Sequence, residues 1–327
     1  MRLLILGGTR FLGRAVAAGA VARGWRVTAL HRGTAAPPAQ VESLLGDRTD
    51  AAGPVVAEAA RRRWDLVLDT WDGPPEVVDR AATALAASAG RYVYVSSRSV
   101  YRDLSAPGLV EESALVAAPP AGTAPERATF GQLKAGAERR VRAAFGERAL
   151  IVRPGLVLGP REHPERLVWW LRRLARGGDV PVPGPPGLPV QYVDVRDLAR
   201  WLLDAAAAGR GGTFNAVSPP GHTTMGALLA SCRDATGSGA RLRWVPPGAV
   251  LAAGVLPWSE LPIWIPEGSP VRGLHETAAD RAYAAGLRCR PIAETVADTW
   301  AWLRPSAHDG PAGLGPDREA ELLRHAC

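Results

Sequence analysis

Residues 2–6, RLLIL, form an almost wholly apolar run that ends on Gly7 and Gly8. Such a run, without the polar alternation of a half-solvated strand, predicts a buried strand of a parallel sheet. An alanine-rich stretch from Leu12 to Arg23 has helical spacing, and Gly24 stands where a helix end favours a left-handed residue. The alternation then repeats. RVTALHR after Trp25, DLVLD at 65–69, RYVYVSS at 91–97 and ALIVRP at 149–154 predict strands, with helices over 75–89 and 129–145. Strand and helix in turn predict an α/β fold, a doubly wound parallel (Rossmann) sheet with right-handed crossovers.

Beyond Pro154 the regularity breaks down. PVPGPPGLP at 181–189 reads as a proline-rich connector, VQYVDV and GTFNAV as further strands, and a capped helix begins at Thr224. Residues 242–303 mix tryptophans with prolines and finish in the helical pattern IAETVADTWAWL. The expected organisation is a dinucleotide-binding domain over 1–160 to which 190–217 returns. A smaller, interleaved C-terminal substrate domain takes 161–189 and 218–304, and 305–327 forms a linker and a helix opened by Pro316.

Composition narrows the classes. The 327 residues suffice for one large domain or two joined ones, and 47% hydrophobic with 22% charged residues is ordinary for a soluble globular chain. A formal charge of +7 and a pI near 10.0 admit a nucleic-acid partner. The arginines, however, are scattered, and the densest runs, at 61–63 and 172–173, fall in helical patterns, so a solvated face is the preferred reading. Cys232, Cys289 and Cys327 are far apart and lack metal spacing, which predicts no metal and a reducing, cytoplasmic setting. No apolar run approaches the roughly 18 residues of a membrane span, and the first residues read as strand and turn rather than as a signal peptide.

The first candidate chemistry is GGTRFLG, Gly7 to Gly13, between a strand and a helix. Glycines let backbone approach a pyrophosphate, and a helix N-terminus offers free N–H groups and a positive dipole end. Gly7, Thr9, Arg10, Phe11, Leu12 and Gly13 are therefore candidate dinucleotide contacts. An NAD site usually ends its second strand on an acidic residue. Here that strand ends on His31 and Arg32; Arg32, with Arg10, could pair with a 2′-phosphate, which favours NADP(H) over NAD(H).

Taken together, these stretches resemble the extended short-chain dehydrogenase/reductase family, the NAD-dependent epimerases and dehydratases, over about residues 1–303. GGTRFLG is similar to the family's glycine turn with Arg10 in place of the middle glycine, and GDRTD to its adenine segment, which implies Asp47, with Arg48 beside it, as cofactor contacts. VYVSSRSVY resembles the strand bearing the catalytic serine, which implies that role for Ser97; IVRPGLVLGP and QYVDVRDLA resemble later landmarks. The turn GGTRF is characteristic of an atypical branch that includes chloroplast stem-loop RNA-binding proteins. The family pairs a tyrosine with a lysine four residues later, the lysine holding the nicotinamide ribose and lowering the phenol's pKa for proton relay. Here Lys134 is the only lysine in the chain, and Phe130 stands at the tyrosine position, without its hydroxyl.

Loss of one positioned acid–base group costs on the order of 10²–10⁴ in rate, so other groups come into view as substitutes. They are Tyr101, Thr129, Asp69 and Asp72 in LDTWDG, and Arg98, which strand alternation places on the face opposite Ser97. Trp71, Tyr101, His163, Trp169 and Gln191 are candidate substrate contacts, with Trp258 and Trp264 as further tryptophans of the same cleft or of the core. Gln191 stands where nucleotide-sugar enzymes of the family often carry a diphosphate-binding arginine, which points to a small, relatively apolar carbonyl or hydroxyl substrate. The resemblance also implies a possible homodimer. Three readings stay open: an NADP(H)-dependent oxidoreductase with a displaced proton donor; a cofactor-binding but non-redox isomerase, lyase or cyclase, or a redox-inactive homologue; and an RNA-binding protein.

Overall fold

The computed structural model describes residues 1–163, 165–303 and 314–325; Cys327 and most of the expected linker lie outside them. The first half runs β1 (Arg2–Leu6), α1 (Phe11–Ala22), β2 (Arg26–His31), β3 (Glu42–Leu45), α2 (Val55–Ala60), β4 (Trp64–Asp69), α3 (Pro75–Leu85), β5 (Ala89–Val95), α4 (Phe130–Phe145) and β6 (Ala149–Pro154). Then come β7 (Leu156–Leu158), α5 (Arg166–Ala175), β8 (Asp179–Pro183), β9 (Pro189–Val190), β10 (Tyr192–Asp194), α6 (Val195–Ala207) and β11 (Gly212–Ala216).

Seven strands form one parallel sheet in the order β11-β6-β5-β4-β1-β2-β3. Alternate residues of β1 feed two cores, Leu3 and Ile5 on one face and Leu4 and Leu6 on the other. Burial on both faces explains why these strands read as unbroken apolar runs. β3 has no such signal: only Leu44 of ESLL is buried, as befits an edge strand.

A third core gathers residues from Leu156 onward, including Trp170, Leu228, Trp264 and Val296. Here the connector expected at 181–189 is shortened to 184–188, because β8 runs to Pro183 and pairs in parallel with Arg241–Val245 while Val180 and Val182 pack inward. In a two-stranded ribbon one strand edge is unpaired, so prolines lacking an N–H are tolerated there. The helix expected over 75–89 ends at Leu85, since β5 already begins at Ala89.

Candidate functional site

The glycine turn is built by backbone demands. Gly7 and Gly8 have φ of 124° and 86°, conformations that side chains rarely adopt. A Cβ at Gly13 would lie 2.7 Å from the Gly8 nitrogen, so only glycine lets the helix sit this close to the turn. Arg10 is extended, φ −125°, so the missing middle glycine costs no strain at its own position; Phe11 instead takes φ 29°. No side chain caps α1, and its first N–H groups stay free for a phosphate. Thr9 is half-buried in the turn. The cradle fits a dinucleotide's pyrophosphate.

The turn opens into a cleft of about 770 Å³ at the carboxyl end of the sheet, lined by segments 10–13, 95–99 and 154–157. Phe130 and Lys134 face it from α4. A capping box of Thr129 and Gln132 starts this helix. A Cβ at Gly131 would overlap the Ser99 carbonyl, so glycine brings the helix start against the serine segment. Phe130 remains 47% exposed, with its ring centroid 5.7 Å from Lys134 Nζ.

Lys134 is buried, and its ammonium donates to the carbonyls of Trp71 and Val95, both at 2.7 Å. Two of its three protons are thereby used, leaving one for the cleft. Burial pushes its pKa down to about 8, with Asp72 and Asp69 pulling the other way. Ser97 Oγ accepts from the Ser99 N–H and donates to Ser99 Oγ, both at 3.1 Å. Ser96 Oγ, also in the lining, is buried without a partner.

Several candidates do not converge on the cleft. Arg48 is buried and bidentate to Asp69 at 2.6 and 2.8 Å, so its side chain is not free for adenine. Burial opposes Asp69's ionisation, but the Arg48 charge and hydrogen bonds outweigh it and hold the carboxyl below its ordinary value. Tyr92 OH also donates to that carboxylate, at 2.6 Å; Asp69 is no free base. Tyr101 is buried, donates to Asn215 and accepts from Arg153, so it does not replace the acid. Thr129 is spent on its cap. Trp71 turns its carbonyl to Lys134 and its indole N–H to Pro74, its ring lying outside the lining. Trp169 and Trp264 pack into the third core. Gln191 is buried behind the cleft, its amide held by Arg98, Ser218 and Thr277.

Asp72, His163 and Trp258 do line the cleft, as does Arg98. Its expected place opposite Ser97 is corrected: β5 ends at Val95 and residues 98–100 form a 3₁₀ turn, so strand alternation no longer applies. Arg32 is exposed near Asp47, whose carboxylate caps Thr49. Sequence reading missed Thr70, Ser99, Arg166 and His275; Ser99, two residues past Ser97, had a local signal, whereas the others are brought in by the fold. Among the described residues, no cluster of three or more His, Cys, Asp or Glu could hold a metal, and no helix is long and apolar enough to cross a membrane.

A family model described as the NAD dependent epimerase/dehydratase family matches residues 3–216. The chain is 26% identical over 253 residues to the chloroplast stem-loop binding protein of 41 kDa b of Arabidopsis thaliana; the match covers 72% of this chain and 63% of that protein, less than two thirds of its length. The UDP-N-acetylglucosamine 4-epimerase of Bacillus cereus superposes with a TM-score of 0.67 at 16% identity, covering 93% of this chain and 99% of that one. The UDP-glucose 4-epimerase of Thermus thermophilus, solved in complex with NAD, gives 0.61 at 20% identity, covering 94% and 100%. At these identities the structural likeness is one of fold.

Proposed function

The chain belongs to the NAD dependent epimerase/dehydratase family, and on that premise we propose that it is an NADP(H)-binding oxidoreductase of small, relatively apolar carbonyl or hydroxyl compounds. In this reading Phe130 replaces the family's catalytic tyrosine. One observation carries it: Ser97, Phe130 and Lys134 meet in the same cleft as the glycine turn. The nucleotide would rest on residues 1–160 and the substrate against the later part of the chain.

When bound, the nicotinamide supplies hydride transfer. Gly7 to Gly13 would hold the pyrophosphate on free N–H groups, and Asp47 would contact the adenine. Arg32, exposed at the end of β2 with no carboxylate on that strand end, would take the 2′-phosphate. Lys134 would donate its remaining N–H in a hydrogen bond to a ribose hydroxyl. Ser97, oriented by Ser99, would hold the substrate oxygen. The proton that a tyrosine would move falls to Asp72, the one carboxylate among the described lining residues, or to water at the Ser97–Ser99 pair.

The test is cofactor fluorescence with the purified full chain. NADPH should bind more tightly than NADH, and Arg32→Ala should weaken NADPH by about tenfold, one charge-assisted contact, while leaving NADH unchanged. Binding of neither cofactor would overturn the reading. Cofactor binding without turnover would favour a non-redox or redox-inactive protein. The third and least favoured reading, RNA binding, draws only on the named stem-loop binding relative and the charge of +7; it requires stem-loop affinity that falls steeply with salt.

A further inference from the structure

We propose that the cleft is built for a substrate bearing a carboxylate or comparable anionic oxygen group, received by Arg98 and Arg166. This deepens the proposed function, since it concerns the substrate end of the same cleft.

Arg98 is only 2% exposed, yet no carboxylate of the described residues pairs with it. Its Nη1 donates to Gln191 Oε1 at 2.8 Å, and its Nε is buried with no partner. Every other buried arginine of the described residues has a carboxylate: Arg48 has Asp69, Arg153 has Glu138, Arg173 has Glu319 and Arg272 has Glu276. An isolated buried charge is costly, and burial with no counter-ion pushes even this guanidinium down to about 9.

The position is held deliberately. A Cβ at Gly155 would sit 2.5 Å from Arg98 Cζ, so the guanidinium lies where a side chain at 155 would displace it, and both residues line the cleft. Gln191 is fixed by the Thr277 N–H and by its own bonds to the Ser218 and Thr277 carbonyls, so its oxygen is a rigid anchor for one edge of the fork. From the downstream wall Arg166 lies over the Trp258 ring at 4.5 Å and also lines the cleft. The carboxylate whose charge acts on it, Glu162, is engaged by the backbone N–H groups of Arg166 and Leu167. His275, beside Arg98, is kept neutral: burial and the Arg98 charge push its pKa down to about 3. Leu156, Val157, Trp258 and Leu274 supply apolar surface around these cations. An apolar body with one anionic group is the complementary shape, and a planar guanidinium suits a planar carboxylate.

The experiment is thermal unfolding of the full chain with oxalate, against sodium chloride at matched ionic strength, with and without NADPH. Oxalate should raise Tm by roughly 2–4 °C, and NADPH should not cancel the shift. Arg98→Met should abolish the oxalate shift while leaving the ligand-free Tm unchanged or higher, because it removes an uncompensated buried charge. A purely structural Arg98 would instead make Arg98→Met lower the ligand-free Tm. Arg166→Gln, at a less buried position, should reduce the shift in a protein whose folding is not in question. The proposal is overturned if oxalate acts no differently from chloride, if the shift survives Arg98→Met, or if NADPH displaces the anion, which would place it in the cofactor site. Failure of the unaltered protein to bind NADPH would sink the cofactor reading while the anion shift stayed readable.

Discussion

Phe130 keeps a ring in the cleft and discards its oxygen, while Lys134 stays within 5.7 Å of that ring. If the pair is a tyrosine–lysine couple lacking one hydroxyl, Phe130→Tyr should rebuild it. Burial disfavours the Lys134 charge and pushes its pKa down to about 8. A phenol placed beside it would share that titration, each charge favouring the other. Part of the phenolate absorbance added by Phe130→Tyr should therefore appear below the ordinary phenol value of about 10. Adding Lys134→Met should return that step to about 10. A single unshifted step in both proteins would show that the two side chains do not communicate. Carbonyl turnover, if present, should rise in Phe130→Tyr by on the order of 10²-fold or more.

α4 delivers both residues, and its register depends on Gly131. Any side chain there would strike the Ser99 carbonyl, pushing the helix start away from the 95–99 segment that carries Ser97. Gly131→Ala should destabilise the protein by about 1–3 kcal/mol, as overpacking does, measured by guanidinium unfolding. It should also weaken NADPH more than Gly146→Ala, whose Cβ would meet open space but whose φ of 52° carries its own backbone cost. Equal effects on cofactor affinity would remove the link between helix position and the site. The N-terminal turn follows a similar rule: Gly13 packs on Gly8, and the left-handed backbone of the turn includes Phe11 at φ 29°.

α5 carries both Arg166 of the cleft wall and Trp170 of the third core. Glu162 tethers the start of that helix, accepting from the Arg166 and Leu167 N–H groups at 3.0 and 2.9 Å. Burial pushes its carboxyl up to about 7, against these hydrogen bonds. Folded protein therefore holds this proton where unfolded chain has lost it, between 4.5 and about 7. Stability from this group is full below 4.5 and declines as pH rises through that window, because the native state binds more protons there. Glu162→Gln should flatten this component. The difference in unfolding free energy between the two proteins should drift across pH 4.5–7 and be level above it; a level difference throughout would show an ionised Glu162.

Local pattern determined much of this protein. Unbroken apolar runs announced β1, β2, β4, β5 and β6 because strands buried on both faces need no polar alternation. The glycine turn was legible because backbone conformation and close approach are demands on single positions, and the four-residue spacing of Phe130 and Lys134 fixed their shared helical face. Which polar groups remain free was decided only by tertiary structure. Arg48 is taken by a carboxylate 21 residues away, Arg98 is anchored by an amide 93 away, and Tyr101 is tied to Asn215 across 114 residues. A residue's chemistry in a cleft is what its long-range partners leave unspent, and no periodicity along the chain records those partners.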